Sequence, residues 1–338
     1  MEIVRVTPTR AQGNGRRFWR ARKAAALTAA AALAAVLAGC TGSAAGPPVA
    51  GGNGLTHVSV GVLPIIDDAS VYVALQRGLF TAQGLDVTPV TLNSGEQATR
   101  ELLSGQLQFT FSNYVSTVLA ASQGAQLRVV ADGAQGLPNT NDLMVARDSP
   151  IQSVTQLRGK TIAVNATGNI ATMMTDSTLR AYGVPATSVR YQVMPFPDMA
   201  AALAAHTVDA AWMAEPFITE SGERTGAEEL ADTAAGPTAN FPIAGYATLR
   251  SYARANPRVV AEFTAALVQA QAIAGNRSAV ERAIPAYIGG MTPALVAAVQ
   301  LDQYPTSLSR TRLQRVADMM LSAGLLTKPF NVSQLLDG

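Results

Sequence analysis

Residues 161–169 read TIAVNATGN, a short apolar run followed directly by a small polar loop that contains Gly168. A run of β-branched and small apolar residues is typical of a buried strand, and Asn, Thr and Gly are typical of a tight turn. Apolar residues then recur at helical spacing over 170–182, and a second β-branched run follows at 189–193. This order predicts a β-α-β unit with parallel strands.

The same alternation continues on both sides of this unit. Asp68 is well placed as the N-cap of a helix and Gly78 as its C-terminal stop. Strands are predicted over residues 58–63, 85–92, 109–111, 127–131, 143–146, 208–212 and 244–249. Helices are predicted over 69–77, 96–103, 114–123 and 198–204, and everything beyond residue 256 is predicted to be helical. Strands that alternate with helices predict an α/β fold.

Two α/β lobes joined by two extended crossings are the simplest arrangement of these elements. We expect lobe one over residues 57–141, lobe two over 142–243, and a return over 244–338 that adds a helical C-terminal part to lobe one. The hinge strands are then 142–146 and 244–249. Two sequential domains would give similar local patterns, so the alternation alone leaves that alternative open.

The N-terminal segment predicts export. Five basic residues lie between Arg16 and Lys23, and an Ala- and Leu-rich run ends at residues 37–40, LAGC, which resemble a bacterial lipobox. We expect a signal peptide over 1–39, a lipid on Cys40 and a flexible tether over 40–56. A membrane-anchoring helix with a chance cysteine is the alternative, and Arg16-Arg17 leaves the choice of Sec or twin-arginine export open.

Charge and composition exclude several functions. Without residues 1–39 the chain has 18 basic and 22 acidic residues, so the basic character of the whole sequence comes from the leader and indicates no nucleic-acid partner. Cys40 is the only cysteine, so no disulfide can form within the chain, and His57 and His206 are the only histidines. The sequence therefore predicts no catalytic residue, metal or cofactor.

Several motifs carry a resemblance to a known family. They are GVLP at 61–64, ALQRGLF at 74–80, GLDV at 84–87, LRGKTIAV at 157–164, GV at 183–184, VDAAW at 208–212 and EP at 215–216. In this order they resemble the solute-binding proteins of ABC importers in the nitrate, sulfonate, taurine and thiamine-pyrimidine group. The resemblance covers residues 57–275.

The resemblance implies a type II periplasmic-binding-protein fold, in which two lobes close on a small ligand by hinge motion. It also implies a receptor that works as a monomer with an ABC permease and its ATPase. The lipobox fits this function independently, since a lipid on Cys40 would anchor the receptor to the outer face of the cell membrane. An extracytoplasmic enzyme on the same fold and a ligand sensor without a permease are the competing functions.

Ligands of open parallel sheets bind at the carboxyl ends of the strands, which selects the candidate residues. They are Asp67, Asp68, Ser112, Asn113, Asn165, Thr167, Gly168, Asn169, Trp212 and Glu215. Each has a structural alternative: the polar residues also suit helix caps, Glu215 also suits a lock on the next helix, and Trp212 also suits the core.

The charges of these candidates bear on the ligand. Arg and Lys are scarce in the candidate loops, whereas Asp67, Asp68 and Glu215 are acidic. This balance favours a neutral or amine-bearing compound such as a pyrimidine-like heterocycle. A sulfonate stays possible because helix N-termini bind anions without cationic side chains, and nitrate fits least well.

Overall fold

The computed structural model describes residues 54–337. The predicted leader, Cys40 and most of the predicted tether lie outside the described residues. Within residues 54–337, none of the helices has the length and apolar character needed to span a bilayer.

The described residues form ten strands and thirteen α-helices. The strands are β1 Thr56–Val62, β2 Leu85–Thr91, β3 Phe109–Asn113, β4 Leu127–Gln135, β5 Asn141–Val145, β6 Thr161–Val164, β7 Arg190–Val193, β8 Ala210–Ala214, β9 Glu228–Asp232 and β10 Pro242–Leu249. The helices are α1 Ala69–Gln76, α2 Leu79–Ala82, α3 Gly95–Leu103, α4 Tyr114–Ser122, α5 Ile170–Ala181, α6 Phe196–Ala204, α7 Phe217–Thr225, α8 Arg250–Ala255, α9 Pro257–Ala274, α10 Arg277–Ala283, α11 Pro293–Ala298, α12 Arg310–Ser322 and α13 Ser333–Leu336.

The strands build two five-stranded sheets. The first has the order β2-β1-β3-β10-β4, and the second has the order β7-β6-β8-β5-β9. In the first sheet β1 is parallel to β2 and β3, and β10 is antiparallel to both its neighbours. In the second, β6 is parallel to β7 and β8, and β5 is antiparallel to β8 and β9. The α/β prediction and the two-lobed type II periplasmic-binding-protein fold are confirmed.

The long helix α9 packs its aromatic side chain Phe263 into the core of the first lobe. Its ring stacks on Phe109 of β3 at 3.9 Å between centroids and on Phe80 of α2 at 5.3 Å. All three rings are fully buried. Stacked, buried rings contribute beyond their apolar area, and they fix α9 against the sheet.

Two chain segments connect the lobes, after β4 and after β9. The amide of Gly136 donates to the carbonyl oxygen of Phe241 at 2.9 Å. The amide of Thr233 donates to the carbonyl oxygen of Asn141, also at 2.9 Å. The two connecting segments therefore pair with each other. The C-terminal part of the chain lies beside the first of these segments, because Gln303 forms an antiparallel bridge with Gln135, the last residue of β4.

Three local predictions are wrong. Within residues 287–309 only 293–298 are α-helical in the described structure, because Gly289-Gly290 and Pro305 interrupt the helical pattern. Strand β9 was not predicted, because its sequence EELAD is acidic rather than alternating. Asp68 stands at the N-terminus of α1, but its side chain does not cap the helix.

Candidate functional site

The loops that follow β1 and β8 meet across the cleft between the two sheets. The amide of Ile66, after β1, donates to the carbonyl oxygen of Glu215, after β8, at 2.9 Å. A second contact joins the loop after β6 to the loop after β2, where Nδ2 of Asn165 donates to the carbonyl oxygen of Asn93 at 3.4 Å. The lobes therefore touch at the carboxyl ends of their parallel strands, where α/β sheets bind ligands.

The loop after β6 carries an asparagine pair. Oδ1 of Asn169 caps α5 by accepting from the amides of Ala171 at 3.0 Å and Thr172 at 3.4 Å, and its Nδ2 donates to Oδ1 of Asn165 at 3.0 Å. Both asparagines are buried. Gly168 has a φ of 66°, a left-handed conformation that suits glycine, and Thr167 is exposed. Asn165 thus links the start of α5 to the other lobe.

Asn169→Ala is expected to lower the free energy of unfolding by about 1–2 kcal/mol, because it removes the cap of α5 and a partner of Asn165. Chemical unfolding measures this loss. Asn276 is the matched control, since its Oδ1 caps α10 by accepting from the amide of Ser278 at 3.0 Å. We expect Asn276→Ala to lose about 1 kcal/mol or less. Equal stability of Asn169→Ala and the unmodified chain would contradict the capping role.

Two helix N-termini of the first lobe lie side by side. Asn113 caps α4, its Oδ1 accepting from the amide of Ser116 at 2.8 Å, and a Cβ on Gly95 would lie 2.3 Å from its Nδ2. Ser112 is buried and donates to the carbonyl oxygen of Gly95 at 3.2 Å. The N-termini of α3 and α4 lie so close together that glycine is the residue that fits at position 95, the start of α3.

Glu215 is almost completely enclosed and locks the start of α7. Its Oε1 accepts from the hydroxyl of Thr219 at 2.7 Å and from the amide of Gln300 at 3.0 Å, and its Oε2 accepts from the amide of Thr219 at 3.2 Å. Burial raises the pKa of Glu215, and these hydrogen bonds oppose that shift. The side chain thus joins the second lobe to the C-terminal segment.

Trp212 lies in the core of the second lobe. It is 2% exposed, its Nε1 donates to Oγ1 of Thr233 at 2.9 Å, and its ring lies 6.1 Å from that of Phe196. Because its one polar group already has a partner, we leave Trp212 out of the proposed ligand contacts.

Asp67 and Asp68 are both buried. Asp68 accepts from the amide of Leu63 at 2.9 Å through Oδ2 and from the hydroxyl of Tyr246 at 2.7 Å through Oδ1. Burial raises the pKa of Asp68 well above its ordinary value. Burial also raises the pKa of Asp67 to about 6, although its own amide and the nearby Asp302 oppose this. Because Asp68 already accepts two hydrogen bonds, Asp67 is the carboxyl of this pair that can bind a further hydrogen-bonding group.

Asp302 and Tyr287 complete this region and were not singled out from the sequence. Asp302 is 6% exposed and lies beside Asp67, and burial together with the charge of Asp67 raises the pKa of Asp302 well above its ordinary value. The ring of Tyr287 stacks on Tyr72 at 3.8 Å between centroids. The structure buries Asp302 and Tyr304 and exposes Gln303, as in an extended segment, but the sequence LDQY at 301–304 carries no alternation of apolar and polar residues that would have signalled this.

Metal ligands are not grouped in the part of the chain that the structure describes: no three His, Cys, Asp or Glu residues there lie close enough to hold a metal ion. The site offers amides, hydroxyls and carboxyls instead. Such groups bind organic molecules by hydrogen bonding.

Two α/β lobes with polar loops meeting in a cleft define a protein of the periplasmic-binding-protein class. The chain belongs to the NMT1/THI5-like family, whose model matches residues 66–277. It is 27% identical over 229 residues to YtlA of Bacillus subtilis (strain 168), which is named only as a candidate binding protein; the match covers 67% of this chain and 68% of that protein.

Solved structures share the fold. The alkanesulfonate-binding protein SsuA from Xanthomonas axonopodis pv. citri, bound to MOPS, has a TM-score of 0.70 at 22% identity over 83% of this chain and 97% of its own. The nitrate-binding protein NrtA from Synechocystis PCC 6803 has a TM-score of 0.66 at 13% identity over 81% of this chain and 83% of its own. At these identities the likeness establishes the fold.

Proposed function

We propose that this protein is an extracytoplasmic receptor that captures a small organic solute in the cleft and delivers it to an ABC permease with its ATPase. The observation that carries the proposal is the pair of contacts across the cleft, Ile66 to Glu215 and Asn165 to Asn93. They bring the carboxyl ends of strands from both sheets together. The names of YtlA and SsuA as binding proteins support the same function.

The mechanism is closure around the solute. A solute that contacts both lobes binds the closed conformation more tightly than the open one, and it shifts the population toward the closed form by that difference in affinity. The expected hinge strands 142–146 and 244–249 largely coincide with β5 and β10, which are members of the sheets. We therefore assign the hinge motion to the segments just before them, 136–140 and 233–241, which connect the sheets. The permease then distinguishes loaded from empty receptor by its closed shape.

The solute is a pyrimidine-like or other heterocycle, or a sulfonate. The helices α3, α4 and α5 follow the strands β2, β3 and β6, and the amides of their first turns that the caps leave unused suit an anionic group or the acceptor edge of a ring. Buried carboxyls at Asp67 and Asp302 suit a group that donates hydrogen bonds. The name of SsuA as an alkanesulfonate-binding protein supports the sulfonate.

The lipid anchor is part of the proposal. The sequence 37–40, LAGC, supports cleavage before Cys40 and acylation of its sulfur, and a chain carrying two or more acyl groups stays on the membrane. The mass of the N-terminal peptide recovered from the membrane fraction tests it. A peptide that begins at an unmodified Cys40, or that retains the leader, would contradict the anchor.

A thermal-unfolding screen tests solute capture. The chain from residue 40 onward, with Cys40→Ser to omit the lipid, is heated with pyrimidines, sulfonates, polyamines and nitrate. A solute at 100 times its dissociation constant adds about 2.7 kcal/mol to the free energy of unfolding and raises the midpoint by several degrees. We expect one class of solute to raise the unfolding midpoint. We also expect the bound solute to be recovered chemically unchanged.

Asn165→Ala is expected to weaken the binding of that solute about tenfold, because it removes the side chain that links the two lobes. Isothermal titration measures the change, with Asn276→Ala as the control that leaves the affinity unchanged. Binding that survives Asn165→Ala would contradict the cleft as the site. Turnover of the solute would favour the enzyme alternative.

A further inference from the structure

Seven residues form what we call the tyrosine–aspartate cluster. Its members are Asp67, Asp68, Tyr72, Tyr246, Tyr287, Asp302 and Tyr304. It adjoins the cleft, because Ile66, which precedes Asp67, donates across the cleft to the carbonyl oxygen of Glu215 at 2.9 Å. The hydroxyl of Tyr304 donates to the carbonyl oxygen of Ile66 at 2.9 Å, so the C-terminal segment closes the cluster from behind.

Part of the cluster is satisfied internally. Asp68 accepts hydrogen bonds from Tyr246 at 2.7 Å and from the amide of Leu63 at 2.9 Å. The rings of Tyr72 and Tyr287 stack with an interplanar angle of 8°. These contacts fix the positions of one carboxyl and two rings, and they leave Asp67 and Asp302 to face each other.

Two side chains of the cluster lack partners. Among residues 54–337, the two carboxyl oxygens of Asp302 and the hydroxyl of Tyr287 are buried and have no ordinary N–H or O–H partner. Asp302 is 6% exposed and lies close enough to Asp67 to share a proton with it, because the pKa of Asp302 is raised. One shared proton satisfies one oxygen of Asp302, and the hydroxyl of Tyr287 beside it still indicates a missing hydrogen-bonding group.

The charged groups that contribute most to the raised pKa values of Asp68 and Asp302 within the described part of the chain are carboxyls, Asp67 and Glu215. Arg277 acts on Glu215 and donates to the carbonyl oxygens of Ala297 and Val299. Protons relieve the repulsion among these grouped carboxyls in the free protein, and a bound cation can replace a proton in that role.

The chemistry of the free atoms selects the kind of cation. A metal ion is disfavoured, since the described residues hold no group of three possible ligands. A quaternary ammonium has no N–H, whereas the free carboxyl oxygens are hydrogen-bond acceptors. A protonated amine or an amidinium supplies both the charge and the donors, and an amidinium pairs with carboxylates through two N–H groups.

We propose that Asp67 and Asp302 bind a protonated amine or amidinium group of the solute, with the Tyr287 hydroxyl as a further contact. This inference rests on the proposed function and names the chemistry of its ligand. The cation lies between the two carboxyls, and the stacked rings of Tyr72 and Tyr287 form one wall beside it.

The test uses probe pairs that differ in charge and little in shape. They are benzamidine with benzamide, and putrescine with 1,4-butanediol, each titrated calorimetrically at pH 7 into the chain from residue 40 with Cys40→Ser. We expect a cationic member to bind at least about tenfold more tightly than its neutral partner. Asp67→Asn removes that preference, because Asp67 with a pKa of about 6 is the carboxyl of the two that is ionised at pH 7. Asp148→Asn, which changes an exposed carboxyl in the second lobe, keeps it.

Two further measurements separate binding from a structural role. Tyr287→Phe keeps the ring stack and removes the free hydroxyl, so it is expected to weaken the cationic probe several-fold without lowering the unfolding midpoint. Lowering the pH from 7 to 5 is expected to weaken the cationic probe about tenfold, because Asp67, with its pKa raised to about 6, must be ionised to bind a cation.

The outcomes also separate this inference from the receptor function. Equal binding of charged and neutral probes, or a preference that survives both Asp67→Asn and Tyr287→Phe, overturns the cation site. Binding of a sulfonate or a neutral heterocycle but of no cationic probe leaves the receptor standing and overturns the cation site. If no solute of any class binds, both fall.

Discussion

Asp132→Ala is expected to lower the free energy of unfolding by about 3–5 kcal/mol, which is the usual cost of removing one partner of a buried ion pair. Oδ1 of Asp132 accepts from the hydroxyl of Tyr114 at 2.7 Å and from the amide of Gly133 at 3.1 Å, and Oδ2 binds Arg312. Alanine leaves Arg312 and the buried tyrosine hydroxyl without this acceptor. Chemical unfolding of the purified chain measures the loss.

The ion pair itself adds little net stability, because burial raises the pKa of Asp132 even though Tyr114 and Arg312 oppose the shift. Replacing both partners by apolar residues, Asp132→Leu with Arg312→Met, is therefore expected to cost less than Asp132→Ala alone. Asp86→Ala is the control, since its carboxylate is 57% exposed and pairs with the exposed His57, so we expect a change within about 0.5 kcal/mol. A loss below about 1 kcal/mol for Asp132→Ala would contradict the role of the pair.

Much of the fold follows from local sequence. The TIAV strand at 161–164 was predicted with the bounds of β6, and the helix that follows begins at Ile170 as expected. Apolar runs bounded by Asn and Gly carry this information because a buried parallel strand is apolar on both faces. Strand β9 lacks that signal: it lies at the edge of its sheet, where charged residues protect an unpaired edge.

The site was less predictable because its pairing is set by tertiary contacts. The rule that ligands bind at carboxyl ends of strands selected Asn165 and Asp67, and the structure brings both to the meeting point of the lobes. The sequence could not show which groups hydrogen-bond to the Glu215 side chain, because one of them is the amide of Gln300, which lies far away along the chain. Asp302 is 235 positions from Asp67 along the chain, and no local pattern joins them.

Asp142→Asn is expected to stabilise the protein by about 5 kcal/mol at pH 8 and to leave stability unchanged near pH 4. Asp142 is 1% exposed at the start of β5, and its Oδ1 has no hydrogen-bond partner within residues 54–337. Burial, together with the charges of Glu229, Asp232 and Glu215, raises its pKa from 3.8 to about 8. Asparagine resembles the protonated acid and has no proton to lose.

The direction of the pH dependence follows from where the proton is held. Between pH 4 and pH 8 the folded chain keeps a proton on Asp142 that the unfolded chain has released. The free energy of unfolding therefore falls as pH rises through this window, by at most about 1.4 kcal/mol per pH unit from this group. The variant escapes that loss, so its advantage grows with pH.

Unfolding curves at pH 4, 6 and 8 measure this growing difference between Asp142→Asn and the unmodified chain. Asp148→Asn is the matched control, because its carboxylate is 76% exposed and we expect no dependence of its effect on pH. A constant difference at all three pH values would mean that Asp142 is ionised in the folded chain.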